Sequence, residues 1–223
     1  MNPLNSSRPI ALAALAILSF INSPDALADD LSGDVKVIKE AGAPKVLRCV
    51  LNGRPRALAI ELSGQVAVAY DTWHGGIFTI WEPAASGQFV KLDGAVYTGR
   101  HGPQPSTNGK AIFTDKDPAD TQRYHFSDKN ASLHYLGHKV GENGIVTLSF
   151  AFRDADGKQI ALIEDSSAAG DNNTLHRQLN VSGLADGQNV TIDFPKGLSW
   201  SGVENDRVTI TSNSKSTFTA KLP

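Results

Sequence analysis

Apolar and polar residues alternate in short runs along most of this chain. Clusters of glycine, asparagine, aspartate and proline interrupt the runs about every 8–12 residues, the spacing of an all-β fold with many turns. The clearest run has Val146, Leu148, Phe150 and Phe152 on one parity and Thr147, Ser149, Ala151 and Arg153 on the other. Successive strand side chains point to opposite faces, so this run predicts a strand with one face in a core. Asp154-Ala155-Asp156-Gly157 then predicts a hairpin turn, with Gly157 supplying positive φ. Asp-x-Asp-Gly is also half of a calcium loop, but the downstream glutamate and further oxygen ligands are missing, and the turn is expected.

The same reading places strands at 45–51, 57–62, 66–71, 77–82, 89–96, 111–113 and 124–126. It continues with 132–139, 145–154, 158–166, 175–182, 188–194, 207–212 and 218–222. No window after residue 28 keeps the i, i+3, i+4, i+7 apolar spacing of a helix. The expected fold class is all-β, an antiparallel β-sandwich spanning residues 29–223 as one domain. A polar loop at 115–120, with Pro118, marks a mild boundary between two sub-halves.

The first 28 residues have a different pattern. Arg8 precedes an apolar run at 10–21, Pro24 breaks it, and Ala26-Leu27-Ala28 is a small-x-small box. This is the pattern of a signal peptide cleaved after Ala28. The run is too short for an ordinary membrane span, and no second long apolar run follows. The expectation is a periplasmic or secreted protein without a membrane span after cleavage.

Charge narrows the partners. There are 21 basic against 23 acidic residues, and no basic block, so nucleic acid is not expected. Cys49, the single cysteine, excludes an internal disulfide framework and reads as a buried small apolar residue. No nucleotide-binding glycine loop, zinc-protease helix, nucleophile elbow or covalent haem motif is present, so neither cofactor nor metal is expected.

The candidate chemistry lies in residues 70–108, which hold two of the three Trp, two of the four Tyr and two of the six His. Trp73-His74-Gly75-Gly76 implies a sharp turn at a strand end. Its rings either form a platform for a sugar or pack on the core. Trp81 ends the next strand and pairs with Trp73 in a core or in a cleft. Tyr97 leads into Gly99-Arg100-His101-Gly102-Pro103. There Arg100 could hold an anion and His101 could serve as a base. Candidate ligand-binding residues are therefore Trp73, His74, Trp81, Tyr97, Arg100 and His101. His134 and His138 are four apart in a strand-like run, about 13 Å at ~3.3 Å per residue, too far for one metal. Paired acids for glycoside cleavage could come from Asp71, Glu82, Asp93, Glu164 or Asp165. Glu164-Asp165 precedes a Ser/Ala/Gly stretch and reads as solvated strand-end charge.

Several elements together carry a resemblance. They are Arg56-Ala57-Leu58-Ala59 with Gly64, Tyr70-Asp71-Thr72, Gly75-Gly76, Phe78, and Gly99-Arg100-His101-Gly102-Pro103-Gln104-Pro105. Residues 46–113 resemble a β-rich domain of unknown function in exported planctomycete- and verrucomicrobia-type proteins. That domain accompanies c-type cytochrome and sugar-dehydrogenase-like propeller domains. The resemblance implies a periplasmic or secreted β-sandwich, with the large mutarotase-like supersandwich as one form. It also implies a link to a periplasmic cytochrome or dehydrogenase on a separate chain. Three expectations follow. The first is a non-enzymatic module that binds carbohydrate or a partner protein. The second is a sugar-active epimerase, lyase or hydrolase using His101, Arg100 and either Asp71 or Glu82. The third is an accessory subunit of a cytochrome/dehydrogenase system.

Overall fold

The computed structural model describes residues 45–91, 104–141 and 144–223. The leader pattern at 1–28 lies outside the described residues, as do Tyr97, Arg100 and His101. Fifteen strands run through the described part: β1 (Lys45–Leu51), β2 (Arg54–Ser63), β3 (Val66–Asp71), β4 (Ile77–Pro83), β5 (Val90–Lys91), β6 (Ser106–Thr107), β7 (Gly109–Thr114) and β8 (Tyr124–Phe126). The series continues with β9 (Ser132–Val140), β10 (Val146–Arg153), β11 (Gln159–Gly170), β12 (Thr174–Ser182), β13 (Val190–Asp193), β14 (Arg207–Ile210) and β15 (Ser214–Lys221). Among the described residues there is no helix, and none long and apolar enough to cross a membrane.

The protein is an all-β antiparallel sandwich. One five-stranded sheet has the order β1-β2-β3-β4-β7, and a second has the order β15-β12-β11-β10-β9. A three-stranded sheet, β14-β13-β8, and the β5-β6 pair complete it. The loop at 115–120 separates the strands of the first sheet from those of the second and third.

The core follows the alternation. Val146, Leu148, Phe150 and Phe152 of β10 meet Leu58, Ile60, Val68, Tyr70 and Ile80 of the first sheet in one cluster. The first sheet is buried on its other face as well. Ala57, Ala59, Ala67 and Ala69 form a floor there for Phe78, Trp81, Phe89 and Val90. Cys49 lies in this second cluster, and burial pushes its thiol pKa up to about 12. It packs as an inert apolar side chain. The 154–157 turn forms as expected. The Asp154 carboxylate accepts the backbone N–H groups of Asp156 and Lys158 at 3.1 and 2.9 Å, and Gly157 has φ 80°.

One charged residue departs from expectation. β11 does not stop at Ser166 but runs to Gly170, so Asp165 is mid-strand and fully buried rather than a solvated strand end. Arg177 on β12 is equally buried. Its Nη2 and Nε donate to Asp165 Oδ2 at 2.7 and 3.1 Å. Tyr70 of β3 donates to Asp165 Oδ1 at 3.1 Å and shares a 2.5 Å bond with Ser167. Tyr124 of β8 donates to Asp165 Oδ2 and accepts from Arg177 Nη2 at 3.2 Å. All three sheets therefore meet at one carboxylate. Burial, followed by the charge of Asp165, pushes both tyrosine hydroxyls well above their ordinary pKa, so they stay protonated and donate. Burial works against the Arg177 charge, but Asp165 and Tyr124 more than offset it, and the guanidinium stays charged.

Arg177→Met leaves the Asp165 charge buried without its counter-ion, a change that costs about 3–5 kcal/mol. Denaturant unfolding of Arg177→Met, Asp165→Leu and the double variant measures it. The double variant should recover most of the single-variant loss, because it removes both charges. A loss under about 1 kcal/mol in both single variants, the scale of an exposed pair, would contradict the structural role given to this pair.

Candidate functional site

The Tyr70-Asp71-Thr72-Trp73-His74-Gly75-Gly76 run becomes the connection between β3 and β4. Asp71 is buried, and its Oδ1 accepts the backbone N–H groups of Trp73 and His74 at 2.8 and 3.0 Å. Its Oδ2 lies 3.0 Å from Nδ1 of His74. Gly75 donates to the Asp71 carbonyl at 3.0 Å, and Asp71 donates to the Gly76 carbonyl at 3.0 Å, which closes the loop. Both glycines are required. They have φ 76° and 74°, a conformation that costs an L-residue free energy. A Cβ on Gly75 would also stand 2.5 Å from the Tyr124 ring, and one on Gly76 would stand 2.8 Å from Arg123 Cβ.

This loop holds an aromatic side chain in water. Trp73 is 52% exposed. The Arg56 guanidinium sits 3.1 Å from its ring centre, a cation–π contact worth roughly 0.5–1 kcal/mol at an exposed site. Arg56 is tied down in turn. Its carbonyl accepts the backbone N–H and the hydroxyl of Thr72, at 3.0 and 2.7 Å. The His74 ring lies beside the indole, centroids 5.6 Å apart. Trp73, Arg56 and His74 form a fixed, exposed platform.

Arg123 joins this platform to a concavity. Its backbone N–H donates to the His74 carbonyl at 2.8 Å, and its side chain lines a cleft of about 320 Å³. Ile77, Phe113, Phe194 and Pro195 supply the apolar lining. Ion pairs supply the rest. Arg123 pairs with Asp115 and, at 3.3 Å, with Asp117. Lys196 pairs with Asp117 at 2.8 Å. Asp193 receives His125 Nε2 at 3.0 Å on one oxygen and Arg207 Nε at 2.6 Å on the other. Burial favours the neutral form of Asp193, but the His125 and Arg207 hydrogen bonds outweigh it and lower its pKa. The Lys196 hydrogen bond likewise lowers the pKa of Asp117. These acids are held as carboxylates, which suits hydrogen bonding to a ligand better than proton transfer.

The six residues singled out from sequence separate into three groups. Trp73 and His74 come together at the platform. Tyr97, Arg100 and His101 lie outside the described residues. Trp81 is a correction: it is fully buried, stacked on Phe89 at 6.1 Å, with its indole N–H donating to the Phe89 carbonyl at 2.8 Å. It sits opposite Ala67 on the alanine-floored face, where small side chains leave room for an indole, and no part of it reaches solvent. His134 and His138 lie on β9 as expected and bond locally, to Ser132 and Tyr135. Among the described residues, no group of three or more potential metal ligands occurs. Arg56, Arg123, His125, Asp193, Lys196 and Arg207 carry no site signal in the sequence. The last three lie at a Phe-Pro-Lys segment after a strand and an Asn-Asp turn ahead of the next, both of which look like ordinary loops.

No family model and no curated protein matches the chain. Among solved structures it is similar to YidC from Thermotoga maritima, with 10% identity and a TM-score of 0.42, over 82% of this chain and 51% of that one. The chain thus spans about half the length of that protein, and at this TM-score the likeness carries no argument about function.

A low Asp193 pKa in the folded state makes a pH prediction. A group with a depressed folded pKa contributes stability that is present above its unfolded pKa and lost as pH falls through its folded one. Wild type should therefore be more stable than Asp193→Asn at neutral pH, and the gap should close as pH drops below the ordinary carboxylate range. Urea unfolding across a pH series measures the gap. A gap that stays constant down to the folded-state pKa would contradict the ion-pair account of the cleft wall.

Proposed function

We propose that this protein is an exported carbohydrate-binding module whose contact surface is the Trp73 platform. One observation carries the reading. Trp73 is half in solvent, its backbone N–H is held by the Asp71 carboxylate, and the Arg56 guanidinium lies over its ring. An apolar ring kept exposed in one orientation is a surface for the apolar face of a sugar, because the ordering cost has been met before the ligand arrives. The adjoining cleft supports the same reading. Its 320 Å³ falls at the small end of the volumes of ligand sites, and its lining sets four apolar residues among eleven polar and charged ones, which suits a hydrophilic ligand. The exported location belongs to the proposal and rests on the leader pattern of residues 1–28.

A panel of soluble polysaccharides and oligosaccharides, screened by affinity electrophoresis and followed by calorimetry, tests it. At least one glycan should bind. Trp73→Ala should weaken it by tenfold or more, about 1.4 kcal/mol, while the melting temperature falls by no more than about 2–4 °C, because the fold loses only an exposed contact with Arg56. Binding by no glycan, or equal binding by Trp73→Ala, would overturn the proposal.

A further inference from the structure

The cleft beside the platform sorts its charges by depth. Side chains of Asp115 and Asp193 are 7% and 17% exposed. Those of Lys196, Arg207 and His125 are 66%, 57% and 42% exposed. Asp115, Asp193 and Arg123, the last 11% exposed, therefore form the base of the wall, and Lys196, Arg207 and the His125 ring form its lip. The deep acids are also neutralised from behind. Asp115 has Arg123 against it, with Arg54 at 3.6 Å, and Asp117, at 32% exposure, has both Lys196 and Arg123. Asp206 is the remaining acid of the lining.

The lip cations keep donors in reserve. Arg207 gives Nε to Asp193, leaving its two terminal nitrogens unpaired among the described residues. Those nitrogens form the planar edge that grips a carboxylate bidentately. Lys196 uses its ammonium on Asp117 alone, and an ammonium has three donors. His125 spends Nε2 on Asp193, and in a neutral ring that donates there Nδ1 is an acceptor, so the spare donors belong to Arg207 and Lys196. A ligand entering above Phe194 and Pro195 meets the spare donors of Arg207 and Lys196 on the lip.

From this arrangement we infer that the cleft reads a carboxylate on the sugar, and that the ligand is an acidic saccharide carrying uronate groups. The inference rests on the carbohydrate reading and names its substrate class. Arg207 supplies the bidentate contact and Lys196 the second charge. Phe194, only 4% exposed, backs the cleft from beneath. The Arg177 guanidinium lies 4.5 Å from its ring centre, and Trp200 and Phe218 pack edge-on to it at 5.1 and 5.0 Å.

Matched glycans separate the inference from the reading beneath it. The probes are oligogalacturonates, the same oligosaccharides with their carboxyls chemically reduced, a neutral cello-oligosaccharide, and poly-glutamate as a carboxylate on a peptide. The intact oligogalacturonate should bind in calorimetry, and its reduced form should bind at least tenfold more weakly. Arg207→Gln should lose the preference for the intact form. Lys196→Gln, altered at a more exposed position, should lessen it and keeps the test open if Arg207→Gln loosens β14. Equal binding of intact and reduced forms would overturn the carboxylate inference and leave the carbohydrate reading standing. Poly-glutamate binding as tightly as oligogalacturonate, unaffected by Trp73→Ala, would overturn both in favour of an acidic protein partner. Binding of none of the probes would overturn the uronate assignment, while the wider glycan panel decides the reading beneath it.

Discussion

The ion pair between Asp165 and Arg177, with no solvent access to either side chain, is the constraint on which the rest of this sandwich depends. Taking two charges out of water costs several kcal/mol each, and their attraction repays this only when the remaining donors and acceptors find partners. Here Tyr70, Tyr124 and Ser167 provide most of them. One guanidinium nitrogen, Nη1 of Arg177, has no hydrogen-bond partner, and the stack on Phe194 covers that side of the network with an aromatic face. Such a cluster tolerates little rearrangement. A slip by one residue in β11 or β12 would swing a charge to the wrong face of its sheet, so the network fixes register as well as position.

The proposed ligand face hangs from the same cluster. Tyr124 reaches Asp165 with its hydroxyl, while its ring lies against Gly75 and shapes the loop that presents Trp73. Arg123, one residue earlier, binds the His74 carbonyl through its backbone and the Asp115 carboxylate through its side chain. Phe194 covers Arg177 on one side and lines the cleft on the other. Platform and cleft are thus surface ends of contacts that begin in the core, and this explains how an exposed indole and a shallow cleft keep a defined geometry.

Much of the fold was legible because one-sided burial leaves a period-two signature, as β10 illustrates. β11 was legible only as far as Ser166. Its Ser-Ser-Ala-Ala-Gly end has the composition of a loop, yet small residues also fit where a strand is packed on both faces, and pattern alone does not separate the two. That error hid Asp165, whose partners come from 12, 41 and 95 residues away. The two tryptophans of the 70–83 segment looked alike in sequence. Position divides them, since Trp81 pairs with Ala67 on β3 and packs on the alanine-floored face, while Trp73 stays in the loop. The cleft was not legible, because its charges come from loop positions such as Asp115, Asp117 and Lys196 and from His125, Asp193 and Arg207 on three short strands, each of which in isolation reads as solvated polar surface.

The buried pair anchors the β8-β13-β14 sheet, and with it the Trp73 loop and the cleft, to the sandwich. Amide hydrogen exchange on Tyr124→Phe tests this most directly, since the substitution removes one hydroxyl and leaves the ring packed against Gly75. The account predicts faster exchange in Tyr124–Phe126, Val190–Asp193 and the His74–Gly76 loop, with protection of β10 and β11 retained. Exchange that is unchanged everywhere, or that accelerates equally across all strands, would contradict it.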